Sequence, residues 1–457
     1  MKTIRRTLAA LCAGACLSAP VGATTLADTL VAAYENSGLL EQNRALLRAA
    51  DEDVAIAAAA LAPILTWSAG ATVSDPRPQD QSNPRQTDVI VTNLQISAEL
   101  LIYDFGATDL AIETQKETVL STRQELVAIE QDVLLRAIEA HLAIRRAFAF
   151  IQLRENNVRL ITQELRAAED RFEVGEVTRT DVSLAEARLA SARSALASAQ
   201  GDLAQAVEEY RAAVGMAPGN LVEVAPAPLD LGVDAAKDFA VRNHPSVLAA
   251  RHNVTAAELG IRRAEAALKP TVNLSGRVAF DDDFDSSQSV TLGISGPISQ
   301  GGRLAATIRR AMAQRDAARA GLHITGLQIQ QQVGNAYALL AVARASLDAS
   351  EREVRAASVA FDGVREEARL GARTTLEVLD AEQDLLDARA NRISSQIDQA
   401  LASYRVLASM GLLTVGSLNL GVQVYDPAAY YTLVEDAPLG MSDRGRALDR
   451  VLRAIGD

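Results

Sequence analysis

Two different spacings of apolar residues organise this chain. Over long stretches apolar side chains recur at three- and four-residue intervals, as in Leu126, Ile129, Val133, Leu134, Ala137, Ile138 and Leu142, with Arg, Glu and Gln between them. That is the signature of a helix that buries one face. Six segments run without clustered turn residues and are read as helices: Thr25 to Leu61, Gly106 to Val174, Thr180 to Val214, Ala235 to Leu268, Arg303 to Leu370 and Leu376 to Met410. At ~1.5 Å per residue the Gly106 to Val174 helix is ~100 Å long, too long for a compact globule of this size. Heptad-like patches and abundant alanine point to coiled-coil packing at close approach.

Elsewhere the spacing falls to two. After Pro63, Leu65, Trp67, Ala69, Ala71 and Val73 alternate with Thr66, Ser68, Gly70 and Thr72, and a return run sets Ile90, Leu94, Ile96, Ala98 and Leu100 against Asn93, Gln95, Ser97 and Glu99. Later, Val272, Leu274, Val278 and Phe280 alternate with Thr271, Asn273, Ser275 and Arg277, and Val290, Leu292 and Ile294 with Thr291, Gly293 and Ser295. These are two β-hairpins whose strands approach the ~9–11 residues that cross a bilayer. Polar tips join them, Ser74 to Asp88 and Asp281 to Ser287. The pattern equally fits four strands of a half-buried soluble sheet.

The chain also repeats itself. Val174-Gly175-Glu176-Val177-Thr178-Arg179-Thr180-Asp181-Val182 aligns with Leu370-Gly371-Ala372-Arg373-Thr374-Thr375-Leu376-Glu377-Val378, and the same offset relates Gly106 to Gly302 and Gly215 to Gly411. A second offset relates Ala33, Asn36 and Pro63 to Ala240, Asn243 and Pro270, so the length difference falls inside the hairpins. Residues 24–225 and 226–414 are therefore two structural repeats, each helix, hairpin (about 64–104 and 271–300), long helix, tip turn (174–180 and 370–376), helix. The 415–457 tail matches neither and is read as an equatorial wrap or a partly disordered end.

The first 23 residues have the layout of a cleavable secretory leader: Lys2, Arg5 and Arg6, an apolar core, and Val21-Gly22-Ala23. Cys16 follows Ala13-Gly14-Ala15, without the apolar residue a lipidation site wants. Cys12 and Cys16 are the only cysteines, so the mature chain has neither a disulfide nor a thiolate metal site. The formal net charge of −13, more negative once the leader's cations leave, argues against a nucleic-acid partner. His141, His244, His252 and His323 form no recognisable ligand set, and Gly293 to Gly302 lacks the Gly-Lys-Ser/Thr ending of a phosphate loop. No cofactor or catalytic set is read from the chain. No later segment holds ~18 consecutive apolar residues, so if this secreted chain meets a bilayer it does so as strands, closed into a barrel by further copies.

The duplicated plan, with Gly-X-X-Thr turns in both halves, resembles the TolC family of outer-membrane factors from about Thr25 to Thr414. The resemblance implies a mainly α fold with transmembrane β: a long helical coiled-coil barrel plus four strands per chain, completing a twelve-stranded barrel in a homotrimer. It implies a passive exit duct of the outer membrane reaching into the periplasm, served by a periplasmic adaptor protein and an inner-membrane pump of RND or ABC type. A periplasmic coiled-coil scaffold or adaptor that never enters lipid is the alternative, and a secreted hydrolase a more distant one.

Function would concentrate at the tip turns. Gly175 and Gly371 suit the left-handed residue that ends a helix, and Thr178 with Asp181 and Thr374 with Glu377 match capping boxes. Glu377, Asp380, Asp384 and Asp387 then stand on one helix face where the first repeat has Asp181, Leu184, Arg188 and Ser191. That stripe is either a solvated face or, in a trimer, an acidic pore constriction. The resemblance implies the second, with Glu377 and Asp380 in an aperture ring and Arg373 locking it against Asp181. Ala368 replaces the tyrosine common in the family. The resemblance also makes Val174, Gly175, Thr178, Leu370, Gly371 and Thr374 the adaptor-docking residues. Glu99 and Arg277, on the polar strand faces, point into the barrel lumen. Trp67, Tyr103, Phe105 and Phe280 are candidates for an aromatic girdle or for core packing.

Overall fold

The computed structural model describes residues 24–74, 89–280, 285–438, 440 and 442–456. The leader with its two cysteines, the hairpin tip 75–88 and residues 281–284 lie outside the described residues.

Element order runs through the same course twice: α1 (Leu26–Asn36), α2 (Gly38–Ala59), β1 (Ile64–Ser74), β2 (Val89–Tyr103), α3 (Ala107–Glu173) and α4 (Arg179–Val214), then α5 (Val233–Asn243), α6 (Pro245–Ala266), β3 (Thr271–Phe280), β4 (Ser286–Ser295), α7 (Arg303–Arg369) and α8 (Thr375–Ser409). Two short tail helices follow, α9 (Tyr431–Val434) and α10 (Asp443–Gly456).

Two helices read as continuous are broken. Thr25 to Leu61 divides at Ser37, whose side chain accepts from the Leu40 amide and restarts the chain as α2. Ala235 to Leu268 divides at His244, whose extended backbone (φ −64°, ψ 133°) precedes Pro245 at the first position of α6. A residue before proline is pushed out of the helical region, so the break is local sterics. In both repeats a left-handed glycine presses on this break. A Cβ at Gly215 would meet Asn36 Cβ at 2.5 Å, and one at Gly411 would meet Pro245 Cδ at 2.9 Å.

The chain divides into two compact units. One holds residues up to Asn36 with Arg136–Pro226 and Ser346–Leu401. Its packing follows helical spacing: Phe361, Val364 and Ala368 of α7 meet Val378, Ala381 and Leu385 of α8, with Leu160 of α3. A buried polar chain ties α1 in, Thr29 Oγ1 lying 2.9 Å from His141 Nδ1 and 3.1 Å from Tyr210 Oη, while His141 Nε2 lies 3.1 Å from the Val222 carbonyl oxygen. His141 is thus a structural residue.

The other unit holds Ser37–Leu135, Ala227–Ala345 and Ala402–Asp457. Ile329, Val333, Ala336, Leu340 and Ala343 repeat at four and three along α7, against Ala236 and Ala240 of α5 and Ala402, Val406 and Met410 of α8. The tail packs here too: Tyr430 and Val434 bury against Ala55 with Leu448 and Leu452 beside them. The Tyr430 hydroxyl donates to Glu52 Oε1 at 2.5 Å.

This second unit carries an antiparallel sheet in the order β1-β2-β3-β4. Directly paired residues share a face, and the register sorts the sheet cleanly. Leu65↔Ala98, Trp67↔Ile96 and Ala69↔Leu94 continue through Ala98↔Gly276, Ile96↔Val278 and Leu100↔Leu274 to Leu274↔Leu292 and Val272↔Ile294. That face is mainly apolar, with Thr92, Gln288 and Ser286 toward the hairpin tips, and uncovered: Trp67 is 76% exposed, Val290 81% and Ile294 72%. The reverse face carries Thr66↔Ser97↔Arg277↔Ser289 and Glu99↔Ser275↔Thr291. Among the described residues β1 and β4 pair on one side only.

Candidate functional site

Both tip turns lie in the first unit, built by the same local chemistry. At Gly175 (φ 81°) α3 ends; the Gly175 amide donates to Phe172 O at 3.0 Å and the Glu176 amide to Arg171 O at 2.9 Å. Gly371 (φ 78°) repeats this with Ala368 O at 3.1 Å and, from the Ala372 amide, Glu367 O at 2.9 Å. A residue with positive φ lets the last carbonyls of each helix be satisfied before the chain turns.

The next helix starts on a reciprocal cap. Asp181 Oδ2 accepts from the Thr178 amide at 2.9 Å and hydroxyl at 2.7 Å, and the Asp181 amide donates back to Thr178 Oγ1 at 3.3 Å. Glu377 Oε2 accepts from the Thr374 amide at 2.8 Å and hydroxyl at 3.0 Å, with the Glu377 amide returning 3.3 Å to Thr374 Oγ1. Both acids are therefore capping residues in their own chain. These bonds hold the Asp181 carboxyl below its ordinary range.

The repeats diverge at Arg373. Its Nε donates to Glu367 Oε2 and its Nη1 to Glu377 Oε1, both at 2.8 Å. The Thr374 amide bond, then Arg373, lower the Glu377 carboxyl to about 2; Glu367 and then Glu377 raise the Arg373 guanidinium. Within the chain Arg373 is thus engaged by Glu367 and Glu377, while the partner expected for it, Asp181, is committed to Thr178. Glu367, one residue before Ala368, was not singled out from sequence, because a Glu beside Glu366 on a charged helix carries no visible signal.

Beyond the turn, Asp380, Asp384 and Asp387 are all exposed. Asp380 accepts from Arg188 of α4 at 2.8 Å, and Asp387 from Gln383 at 3.0 Å. A cleft of about 920 Å³ between the turns is lined by Thr178, Asp181, Gly371, Arg373 and Thr374. Val174 and Leu370 stand out on the surface, 70% and 78% exposed, at the apex of each turn.

One acid of α8 escaped the sequence reading. Glu382 is 6% exposed, its Oε1 accepting from Asn157 Nδ2 at 2.8 Å while Oε2 has no partner among the described residues. Burial pushes its carboxyl up to about 7. The signal was available: Val378, Glu382 and Leu385 stand at four and three, the spacing of the buried stripe rather than of the acidic one.

In the second unit Glu99 and Arg277 occupy the polar sheet face, on adjoining strands. Trp67 lies mid-strand on the apolar face, and Tyr103 and Phe105 close the end of β2. No helix among the described residues is long and apolar enough to cross a membrane.

Residues 29–216 and 238–412 match the family model described as outer membrane efflux protein. The chain is 33% identical over 426 residues to the outer membrane efflux protein BepC of Brucella suis, covering 91% of this chain and 92% of that one. It is 26% identical over 399 residues to the proteases secretion protein PrtF of Dickeya chrysanthemi, covering 80% and 85%. Its fold superposes on the outer membrane protein VceC of Vibrio cholerae with a TM-score of 0.72 at 22% identity, covering 84% of this chain and 96% of that one.

Proposed function

The chain belongs to the outer membrane efflux protein family, and from that premise we propose that three copies join their sheets into one twelve-stranded barrel and form a passive exit duct from the periplasm across the outer membrane. One observation carries this: a sheet with an uncovered, mainly apolar face, a mainly polar reverse and two edges that pair with nothing among the described residues. In lipid each unpaired backbone group costs several kcal/mol, so a four-stranded sheet is stable there only when other copies close it. Glu99 and Arg277 then line the lumen. The repeats are residues 24–225 and 226–414, and the leader 1–23 directs export.

At the periplasmic tip, Arg373, Glu377, Asp380, Asp181 and Asp384 form the gate. Carboxylates gathered about one axis repel one another, and bound cations relieve that repulsion. The intrachain pair Arg188–Asp380 offsets part of this charge and ties α8 to α4, while Arg373–Glu367 ties the turn to α7. The exposed apices around Val174, Gly175, Thr178, Leu370, Gly371 and Thr374 receive the periplasmic adaptor, which joins the duct to an inner-membrane pump of RND or ABC type. A relative named for protease secretion and one named for efflux leave both cargo classes open to such a duct.

The test is single-channel current of the purified trimer in planar bilayers. The wild type conducts and is blocked by divalent cations; Glu377→Ala with Asp380→Ala conducts with weakened block. Unchanged block refutes the gate, and a mature chain that is a monomer in water without surfactant refutes the duct.

A further inference from the structure

Where the strands end and the long helices begin, the two repeats share a backbone but not a side chain. Gly106 and Gly302, equivalent by the repeat offset, both have φ 83°, and the residues before them both have φ 58°. In the second repeat that residue is Gly301; in the first it is Phe105. Glycine takes this conformation freely, whereas a bulky L-residue there costs on the order of 1–3 kcal/mol. A strained residue retained where its duplicate shows glycine to suffice calls for a use of the ring itself.

The ring lies in a small cluster. Its centroid is 4.7 Å from that of Tyr103, the two planes tilted by 53°, and Lys269 Nζ sits over it at 5.3 Å from the centroid. Tyr103 reaches the cluster through an irregularity: pairing passes from Leu101↔Asn273 to Tyr103↔Val272, leaving Ile102 as an extra residue. Such a bulge re-aims the side chain that follows it. Without it Tyr103 would share the polar face with Glu99 and Leu101; with it, Tyr103 joins Val272, Leu274 and Leu100 on the apolar face.

Lys269 is exposed, and no carboxylate among the described residues is within ion-pair distance of it. The nearest acid in sequence to the ring, Asp104, is occupied in capping α3, accepting from the Gly106 and Thr108 amides at 3.0 and 2.7 Å and from the Thr108 hydroxyl at 2.6 Å. The three residues meet at the β2–β3 seam inside one chain. Their repeat counterparts, Ser299, Gly301 and Ala62, supply neither ring nor cation, so the second repeat does not duplicate the cluster.

We propose that Lys269, Phe105 and Tyr103 form a binding site for one phospholipid headgroup of the periplasmic leaflet. The ammonium takes the phosphodiester, the rings pack against the glycerol region, and the acyl chains run along Val272, Leu274 and Leu100. A lysine at a bilayer edge lays its stem on apolar surface and places its charge among the headgroups, and aromatic rings favour the same depth. The site continues the lipid-facing sheet described above and rests on that reading.

The experiment counts phosphatidylglycerol bound to delipidated trimer in detergent by native mass spectrometry. Wild type takes up to three per trimer. Lys269→Gln lowers affinity about fivefold, the effect of one basic residue at an anionic surface. Phe105→Gly, which copies Gly301 and relieves the backbone, keeps the trimer intact yet also loses affinity, while Lys237→Gln on α5, where Lys237 pairs with Asp234, leaves it unchanged. Wild-type affinity in both Lys269→Gln and Phe105→Gly overturns the site. Competition by inorganic phosphate at equal concentration also overturns it, by showing a free-ion site. Conductance measured in parallel keeps the outcomes apart: a trimer that conducts but binds lipid indifferently refutes this site, and one that never conducts refutes the duct.

Discussion

Replacing Glu382 with glutamine should uncouple the α3–α7–α8 packing from pH. The carboxyl is buried against Asn157 with one oxygen unpaired, and burial raises it from 4.5 to about 7. Glu164 adds to the rise, while the Asn157 bond, Arg365 and Arg188 oppose it. Because the folded value lies above the unfolded one, ionisation opposes folding. The penalty is absent below about 4.5, grows as pH climbs, and is complete above about 7. Two to three pKa units correspond to about 3 kcal/mol. Hydrogen exchange of the α8 amides from Val378 to Leu386, corrected for intrinsic rates, reads the local opening. Wild-type protection should fall as pH rises from 4.5 to 8, while Glu382→Gln stays level. By pH 8 the variant should be better protected by about two orders of magnitude, and near pH 4.5 the two should converge. A difference between them that does not change with pH would refute the reasoning.

Other substitutions test the turns. Val174→Asp with Leu370→Asp should leave trimer assembly intact, since both side chains are exposed, but abolish in vivo crosslinking to a periplasmic adaptor; retained crosslinking removes these apices from the docking surface. Gly371→Ala meets open space and carries only the left-handed backbone cost of about 1–2 kcal/mol, whereas Gly411→Ala adds a 2.9 Å approach to Pro245, so thermal unfolding should show the second markedly less stable.

What the sequence disclosed and what it hid have physical reasons. The hairpins were legible because a sheet with one greasy and one polar face imposes strict alternation, and Leu65 to Val73 obey it without exception. The tip turns were legible because Gly175, Gly371 and the Thr-x-x-acid pairs are demanded by local backbone geometry. The breaks at Ser37 and His244 were overlooked because long apolar periodicity on either side outweighed one capping serine and one proline. The Ile102 bulge was hidden because an added residue leaves no compositional mark and shows only in the register across to β3. Arg373's engagement with Glu367 was unreadable for another reason: along a helix tip crowded with acids, spacing alone does not choose among partners.

The unpaired borders of β1 and β4 bear on the life of the chain before it is assembled. A newly exported polypeptide carries two rows of amides and carbonyls that bond to any extended strand they encounter, beside an oily surface that water cannot wet. Its proper mates are identical to its wrong ones, differing only in geometry, so stacking into fibrils competes with ring closure at every encounter. If the copies close into a ring as proposed, whatever covers those borders or keeps nascent copies sparse before they reach the bilayer favours closure over stacking. Overproduction should accordingly yield sedimenting aggregates sooner than surplus rings.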